Sequence, residues 1–214
     1  MTRPRLLDLY CCQGGAARGY HDAGFDVVGV DINPQPRYPY EFHQGNALRF
    51  LLSHWREFDA VHASPPCHDW SALSARSGFN YTGYLLGATR EALQAFPMPW
   101  VIENVPGAEM RVDVRLCGAM FGLRTYRHRW FELSDPMCPP VLPHPAHRVL
   151  TDNHKRRAGW DAGLNTSVTG DVTVDIASQA LEIDWMDAAG LSQAIPPAYT
   201  RVIGAHLLEQ LTTV

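Results

Sequence analysis

The sequence predicts an α/β protein: a mostly parallel sheet with helices on both faces and one small loop-rich insert. Three observations predict it. Short apolar runs of strand length alternate with helical stretches through the first hundred residues. No internal repeat or low-complexity tract interrupts that alternation. The distinctive residues fall at or just after the ends of those runs, where such sheets place their ligands. A length of 214 residues suits one domain, and 46% hydrophobic residues supply a core without a disorder signature.

Arg5–Tyr10 (RLLDLY) reads as a buried strand, then a Gly-rich turn and a helix to about Ala23. Asp26–Val30 (DVVGV) is a second strand ending in Asp31, Tyr40–Gln44 a third, and Asn46–His54 a helix. Phe58–Ala63 (FDAVHA) is a strand running into Ser64-Pro65-Pro66. Tyr84–Phe96 is a helix, and Trp100–Glu103 (WVIE) a further strand. Arg127 and Arg129, two apart before an apolar run, would share one face of a strand. From 134 to 183 the pattern loosens: Pro136–Pro145 holds five prolines, and Gly159–Asp175 is rich in Gly, Thr, Asn and Asp. Residues 1–133 and 184–214 are therefore expected to form the main domain, with 134–183 inserted. Helices at Met186–Ser192 and Pro197–Leu211 close the chain.

Net charge is −4, but Arg124 to Arg157 holds seven basic residues against three acids, a surface for phosphates or a solvated loop. Seventeen of the 18 basic residues are Arg, which suits planar bidentate contact with phosphate or base edges. No apolar run approaches the ~20 residues of a membrane span, and the N-terminus lacks a signal peptide's apolar stretch. Five Cys, two of them adjacent, do not suggest a disulfide scaffold, so a cytoplasmic setting and no membrane are expected.

Four segments carry chemistry. In DLYCCQGGAARG, a strand containing Asp8 meets Gly14-Gly15 and then a helix, a turn that lets a nucleotide-like ligand lie against backbone. Asp31, about twenty residues on, could accept both hydroxyls of a ribose or could simply cap a turn. In ASPPCHDWS, Cys67 follows two prolines after a strand, placing a thiol at the crevice; a thiolate there is a nucleophile. In PWVIENVPG, Glu103 leaves a buried strand where an acid is costly unless paired or used. TYRHRWFEL brings Arg127 and Arg129. Cys138, His144, His147 and His154 are ligand types, but their spacing matches no zinc-finger pattern, and no metal is expected.

In this order, DLYCCQGG, VDINP, PPCHDWS, ENVPG, RHR and QAIPPAYTRVIG resemble the cytosine-C5 DNA methyltransferase family. The resemblance covers most of Leu6–Phe131 and then Asp184–Leu207. It implies a Rossmann-like, S-adenosylmethionine-dependent catalytic domain acting on DNA. Asp8, Tyr10, Cys11, Gln13, Gly14 and Gly15 would hold the methionine moiety. Asp31 would take the ribose, and Ile32, Asn46 and Ala47 the adenine. Pro65, Gln193 and Ala194 would complete the cofactor site. Cys67 would attack C6 of cytosine, Glu103 would hold N3 and the amine, and Arg127 and Arg129 would steady the base carbonyl and phosphate. Ser64, Pro66, Asn104 and Val105 would line the base.

Departures mark a divergent branch. Cys12 stands where the family usually has Gly, Tyr10 where it has Phe, His68 where it has Gln, and Thr125 where it has Gln. Gln193 replaces an Asn, and Asn46 falls where an acid is usual. The insert is far shorter than a typical target-recognition domain. Short specificity, help from a protein partner, or a smaller substrate such as a cytosine nucleotide are all open. RNA, a modified cofactor and a catalytically silent nucleic-acid-binding relative are further alternatives.

Overall fold

The computed structural model describes residues 2–66, 83–135, 143–147, 165–169 and 172–212. Seven strands form one sheet: β1 (Arg5–Leu9), β2 (Asp26–Asp31), β3 (Glu41–Gln44), β4 (Ala60–Ala63), β5 (Trp100–Asn104), β6 (Val114–Leu116) and β7 (Arg129–Leu133). Their order is β3-β2-β1-β4-β5-β7-β6. The first five run parallel, and β7 pairs antiparallel with both β5 and β6. The sheet is thus mostly parallel, as expected. From β1 the chain crosses to β2 on one side, and β4 lies on the other. That switch opens a crevice outside the strand carboxyl ends.

The helices are α1 (Gly15–Ala23), α2 (Ala47–His54), α3 (Gly83–Gln94), α4 (Val174–Leu181), α5 (Ala188–Gln193) and α6 (Pro197–Thr212). Alternation along the strands sends side chains to two cores, because both faces of a parallel sheet are covered. Leu6, Val27, Ala60, Val101 and Phe131 pack beneath Tyr20 of α1 and Tyr199, Ile203 and Leu207 of α6. Leu7, Leu9, Val28, Val30, Val61 and Ile102 pack with Leu51 of α2 and Leu86 and Leu93 of α3. Within the stretch expected to be loop-rich lies α4. Ala177, Ala180 and Leu181 give it one apolar stripe at helical spacing, joined to Ile183, Met186 and Leu191. The Thr173 hydroxyl caps it by accepting from Ile176 N at 3.4 Å. Its brevity and the Gly, Thr and Asp preceding it hide that stripe in the sequence. Among the described residues, no helix is long and apolar enough to cross a membrane.

Helices α1 and α6, far apart in the chain, lie against each other. A Cβ on Gly19 would meet the Pro197 carbonyl and the Thr200 hydroxyl, and that hydroxyl donates to Ala16 O at 2.8 Å. Only a residue without a side chain lets the two backbones come this close. Gly19→Val is expected to destabilise the fold by about 1–3 kcal/mol through overpacking, read as a lower urea midpoint with an unchanged slope.

Candidate active site

The turn after β1 is built under strain. Tyr10 has φ 59° and Cys12 φ 46°, a left-handed backbone that costs roughly 1 kcal/mol or more for a residue with a side chain. Cys12, which stands where the resembling family usually has Gly, takes this left-handed backbone despite its side chain. Gly14 has φ 84°, and a Cβ there would lie 2.9 Å from Pro39 Cδ. Asp31, buried at the end of β2, holds the turn: its two carboxylate oxygens accept from Cys12 N (3.1 Å) and Asn33 N (2.9 Å). Ile32 beside it is 64% exposed, a large apolar side chain left bare next to a carboxylate. Asn46, exposed, caps α2 by accepting from Arg49 N at 3.0 Å, and Ala47 is buried behind it.

Asp8 lies on the α1 side of the sheet, fully buried in register with His62 of β4, and neither carboxylate oxygen has a hydrogen-bond partner among the described residues. Burial, then the nearby Asp31, push its pKa well above the carboxylate range, opposed by the Tyr38 hydroxyl. Burial likewise raises the Cys11 thiol and lowers His62 to about 3. His62 Nδ1 is 2.9 Å from the Tyr20 hydroxyl. His62 is therefore a neutral group of the core, and burial biases the neighbouring Asp8 toward its protonated form.

Gln13 points to the C-terminal part of the chain. Its Nε2 donates to Asp187 Oδ1 (2.9 Å), its Oε1 accepts from Asp187 N (3.1 Å), and its carbonyl accepts from Trp185 Nε1 (2.8 Å). Gly15 faces the Ile195 carbonyl, and Gln193 Oε1 lies 3.3 Å from Cys12 Sγ. The Gln193–Ile195 segment therefore lies along the N-terminal turn.

At the next strand ends, Ser64 Oγ donates to Tyr10 O (3.2 Å), and the Tyr10 hydroxyl is 2.9 Å from Thr89 Oγ1. Asn104 Nδ2 donates to the buried Pro65 carbonyl (3.1 Å), while its Oδ1 accepts from Val105 N (2.9 Å). Asn104 thereby fixes the path into the half-buried Pro66. Cys67 and His68 lie outside the described residues.

Glu103 is buried at the end of β5 with Arg129 Nε 2.8 Å from its Oε1, an ion pair whose side chains are 7% and 13% exposed. The N–H is not aimed along that line, so the contact is Coulombic rather than a directed hydrogen bond. Burial raises the Glu103 pKa, and Arg129 and then Arg127 oppose the rise. The two arginines do not share a strand face, contrary to expectation. Strand β7 begins at Arg129, and Arg127 sits before it at φ 32°. Its guanidinium donates to Ala194 O (2.6 Å) and Ser192 O (2.7 Å), the open carbonyl end of α5. The Tyr199 hydroxyl donates to Arg127 O (2.9 Å). Thr89, Trp185, Asp187 and Tyr199, which position this site, carry no sequence signal because each acts through a contact distant in the chain. Arg129→Met, which leaves the Glu103 carboxyl buried without its cation, is expected to cost about 3 kcal/mol near neutral pH and less in acid, where that carboxyl is protonated. Urea unfolding at several pH values measures it.

No family model matches the chain. Over 124 residues, half of this chain, it is 30% identical to the type II methyltransferase M.XorII of Xanthomonas oryzae pv. oryzae, and it covers 29% of that protein's length. Its fold is similar to a prophage-encoded Escherichia coli protein described as a DNA modification methyltransferase (TM-score 0.64, 13% identity, 99% of this chain and 100% of that one). It is also similar to Dnmt2 methyltransferase of S. pombe (TM-score 0.63, 13% identity, 98% and 99%). A further likeness is to the Entamoeba histolytica methyltransferase EhMeth (TM-score 0.61, 10% identity, 99% of each chain). At those identities the structures speak for the fold alone, and the curated match is a likeness over half of this chain. The chain is thus similar over half its length to a type II methyltransferase, and it shares the fold of these methyltransferase structures.

Proposed function

We propose that the protein transfers a methyl group from S-adenosylmethionine to C5 of cytosine in DNA. The observation that carries this reading is the juxtaposition at the ends of β4 and β5. A buried carboxyl group, Glu103, faces an arginine while its neighbour Asn104 grips the Pro65-Pro66 turn that leads directly to Cys67.

The cofactor fits the residues of the first turn. The Asp31 carboxylate at the end of β2 suits ribose hydroxyls, and the bare Ile32 side chain suits one face of adenine. Asn46 and Ala47 at the start of α2 would border the adenine, and Tyr10–Gly15 with Pro65, Gln193 and Ala194 the methionine end. Tyr10, Cys11 and Gly14–Gly15 offer chiefly backbone to it. Gln13, turned toward Asp187, acts by holding the turn, and Asp8 lies buried beneath it. When bound, S-adenosylmethionine supplies an electrophilic methyl group.

The chain's own residues do the rest. The Cys67 thiolate adds to C6 of cytosine, which makes C5 nucleophilic. Glu103, kept toward its protonated form by burial, donates to N3 and accepts from the exocyclic amine, so that charge developing in the ring is neutralised. Arg129 orients that carboxyl and lies within reach of the base carbonyl. Arg127, engaged with the end of α5, is a positioning residue. Ser64, Pro66, Asn104 and Val105 form the walls. After methyl transfer, the C5 proton leaves to a base and the C5–C6 double bond re-forms as the thiolate is expelled. In duplex DNA the base is first flipped out, at a cost of a few kcal/mol. The short 134–183 insert supports a short recognition sequence or a protein partner supplying contacts, since a single recognition module buries roughly 600–1,000 Å².

DNA containing 5-fluorocytosine, incubated with the protein and S-adenosylmethionine, is expected to give a covalent adduct on a denaturing gel, because fluorine at C5 cannot leave as a proton. Cys67→Ser abolishes it. Absence of the adduct with cofactor still bound would overturn the DNA reading, and adducts on RNA or a cytosine nucleotide would replace it. A second expectation concerns pH. With the Glu103 pKa raised, kcat/KM falls as pH rises through that raised value, where the carboxyl loses the proton it donates. Glu103→Gln keeps a donor and is expected to flatten that limb of the profile at a lower overall rate.

A further inference from the structure

Cys117, at the end of β6, is buried under a loop that returns through His128 just before β7, and the segment 143–147 brings His144 and His147 to the same place. One donor atom from each of the four lies within 4.8 Å of every other. Cys117 Sγ is 3.4 Å from His147 Nε2, and His128 Nε2 is 3.2 Å from His144 Nε2. Zinc bonds of about 2.3 Å to sulfur and 2.0–2.1 Å to nitrogen place tetrahedral donors roughly 3.3–3.6 Å apart. Two of the pairs are already close to that spacing. The rings are also oriented for ligation. His144 Nδ1 sits 3.0 Å from the Pro145 carbonyl, where it can only donate, which leaves the Nε2 lone pair facing the cluster. The Tyr126 ring stacks on His147 at 3.8 Å and 17°, and His144 lies 5.4 Å from His128 at 12°. Apolar packing does not explain the gathering, since His144 and His147 are exposed. Ion pairing does not explain it either, because among the described residues no carboxylate belongs to the cluster.

We propose that Cys117, His128, His144 and His147 bind one divalent ion of the zinc class, which fastens segment 143–147 to the body of the protein beside Arg127 and Arg129. One thiolate and three imidazoles suit zinc and exclude magnesium or calcium, which take oxygen donors. Four protein donors fill the coordination sphere, so the ion is structural. On binding, the Cys117 thiol gives its proton to solvent and the three imidazoles coordinate as neutral bases. The site carries a net charge of one positive unit, next to the arginine-rich stretch. The assignment takes two residues, His144 and His147, from the four whose spacing suggests no finger. Cys138 and His154 lie outside the described residues. It stands independently of the methyl-transfer reading.

The test uses the full chain without an affinity tag, stripped with a chelator and titrated with cobalt(II) and then zinc(II). One equivalent of cobalt is expected to give the intense visible bands of a tetrahedral ion with a thiolate-to-cobalt charge-transfer band, both bleached by zinc. Cys117→Ser removes the charge-transfer band, and Cys138→Ser leaves it. His144→Ala and His147→Ala, at exposed positions that do not threaten folding, each weaken zinc binding by about 100-fold or more, since even outer-sphere partners of a ligand are worth 10–100-fold. A weak octahedral cobalt spectrum, no binding by a folded chain, or a charge-transfer band that survives Cys117→Ser would each overturn the proposal.

Discussion

A parallel sheet buries both faces, so the parts of its chain free to meet a ligand are the connections at the strand ends. In this protein the constraint is sharpest where β1 and β4 lie side by side and the chain leaves them in opposite directions. Tyr10, Ser64 and Glu103 leave neighbouring strands at that edge, and Asp31 joins them from β2. The Asp31 carboxylate converts the arrangement into a fixed turn by accepting the Cys12 and Asn33 amides. Everything proposed for cofactor and base depends on that edge being held still.

Holding it requires conformations and charges that the fold would otherwise avoid. Tyr10, Cys12 and Arg127 occupy left-handed backbone. Glu103 and Arg129 are taken out of water together, His62 is buried neutral, and burial holds the Asp8 pKa above its ordinary value. Such features persist only where the surroundings over-determine them. Two well-filled cores, one on each face, provide those surroundings.

The C-terminal segment does the clamping. Gln13 is gripped by Asp187 and Trp185, Arg127 caps the carbonyl end of α5, and Tyr199 anchors the Arg127 backbone. The ends of the described chain thus close over the same crevice, with α6 seated on α1 where Gly19 admits it. The histidine cluster lies next to this clamp through His128, adjacent to both arginines.

The sequence by itself determined the local layer: which runs are strands, where helices start, and which residues stand at strand ends. Apolar periodicity, Gly14-Gly15 and the polar residues Asp31, Glu103 and Asn104 are legible because each expresses a rule acting over a few neighbours. The motif order also carried the family resemblance. Only the tertiary structure decided what those residues touch. It turned Gln13 toward Asp187, gave Arg127 to α5, paired Glu103 with Arg129, and showed Asp8 as a buried group of the core. It also drew Cys117 to His147 across thirty residues. The reason is physical: a side chain's partner is fixed by packing between segments distant along the chain, and no local spacing encodes it.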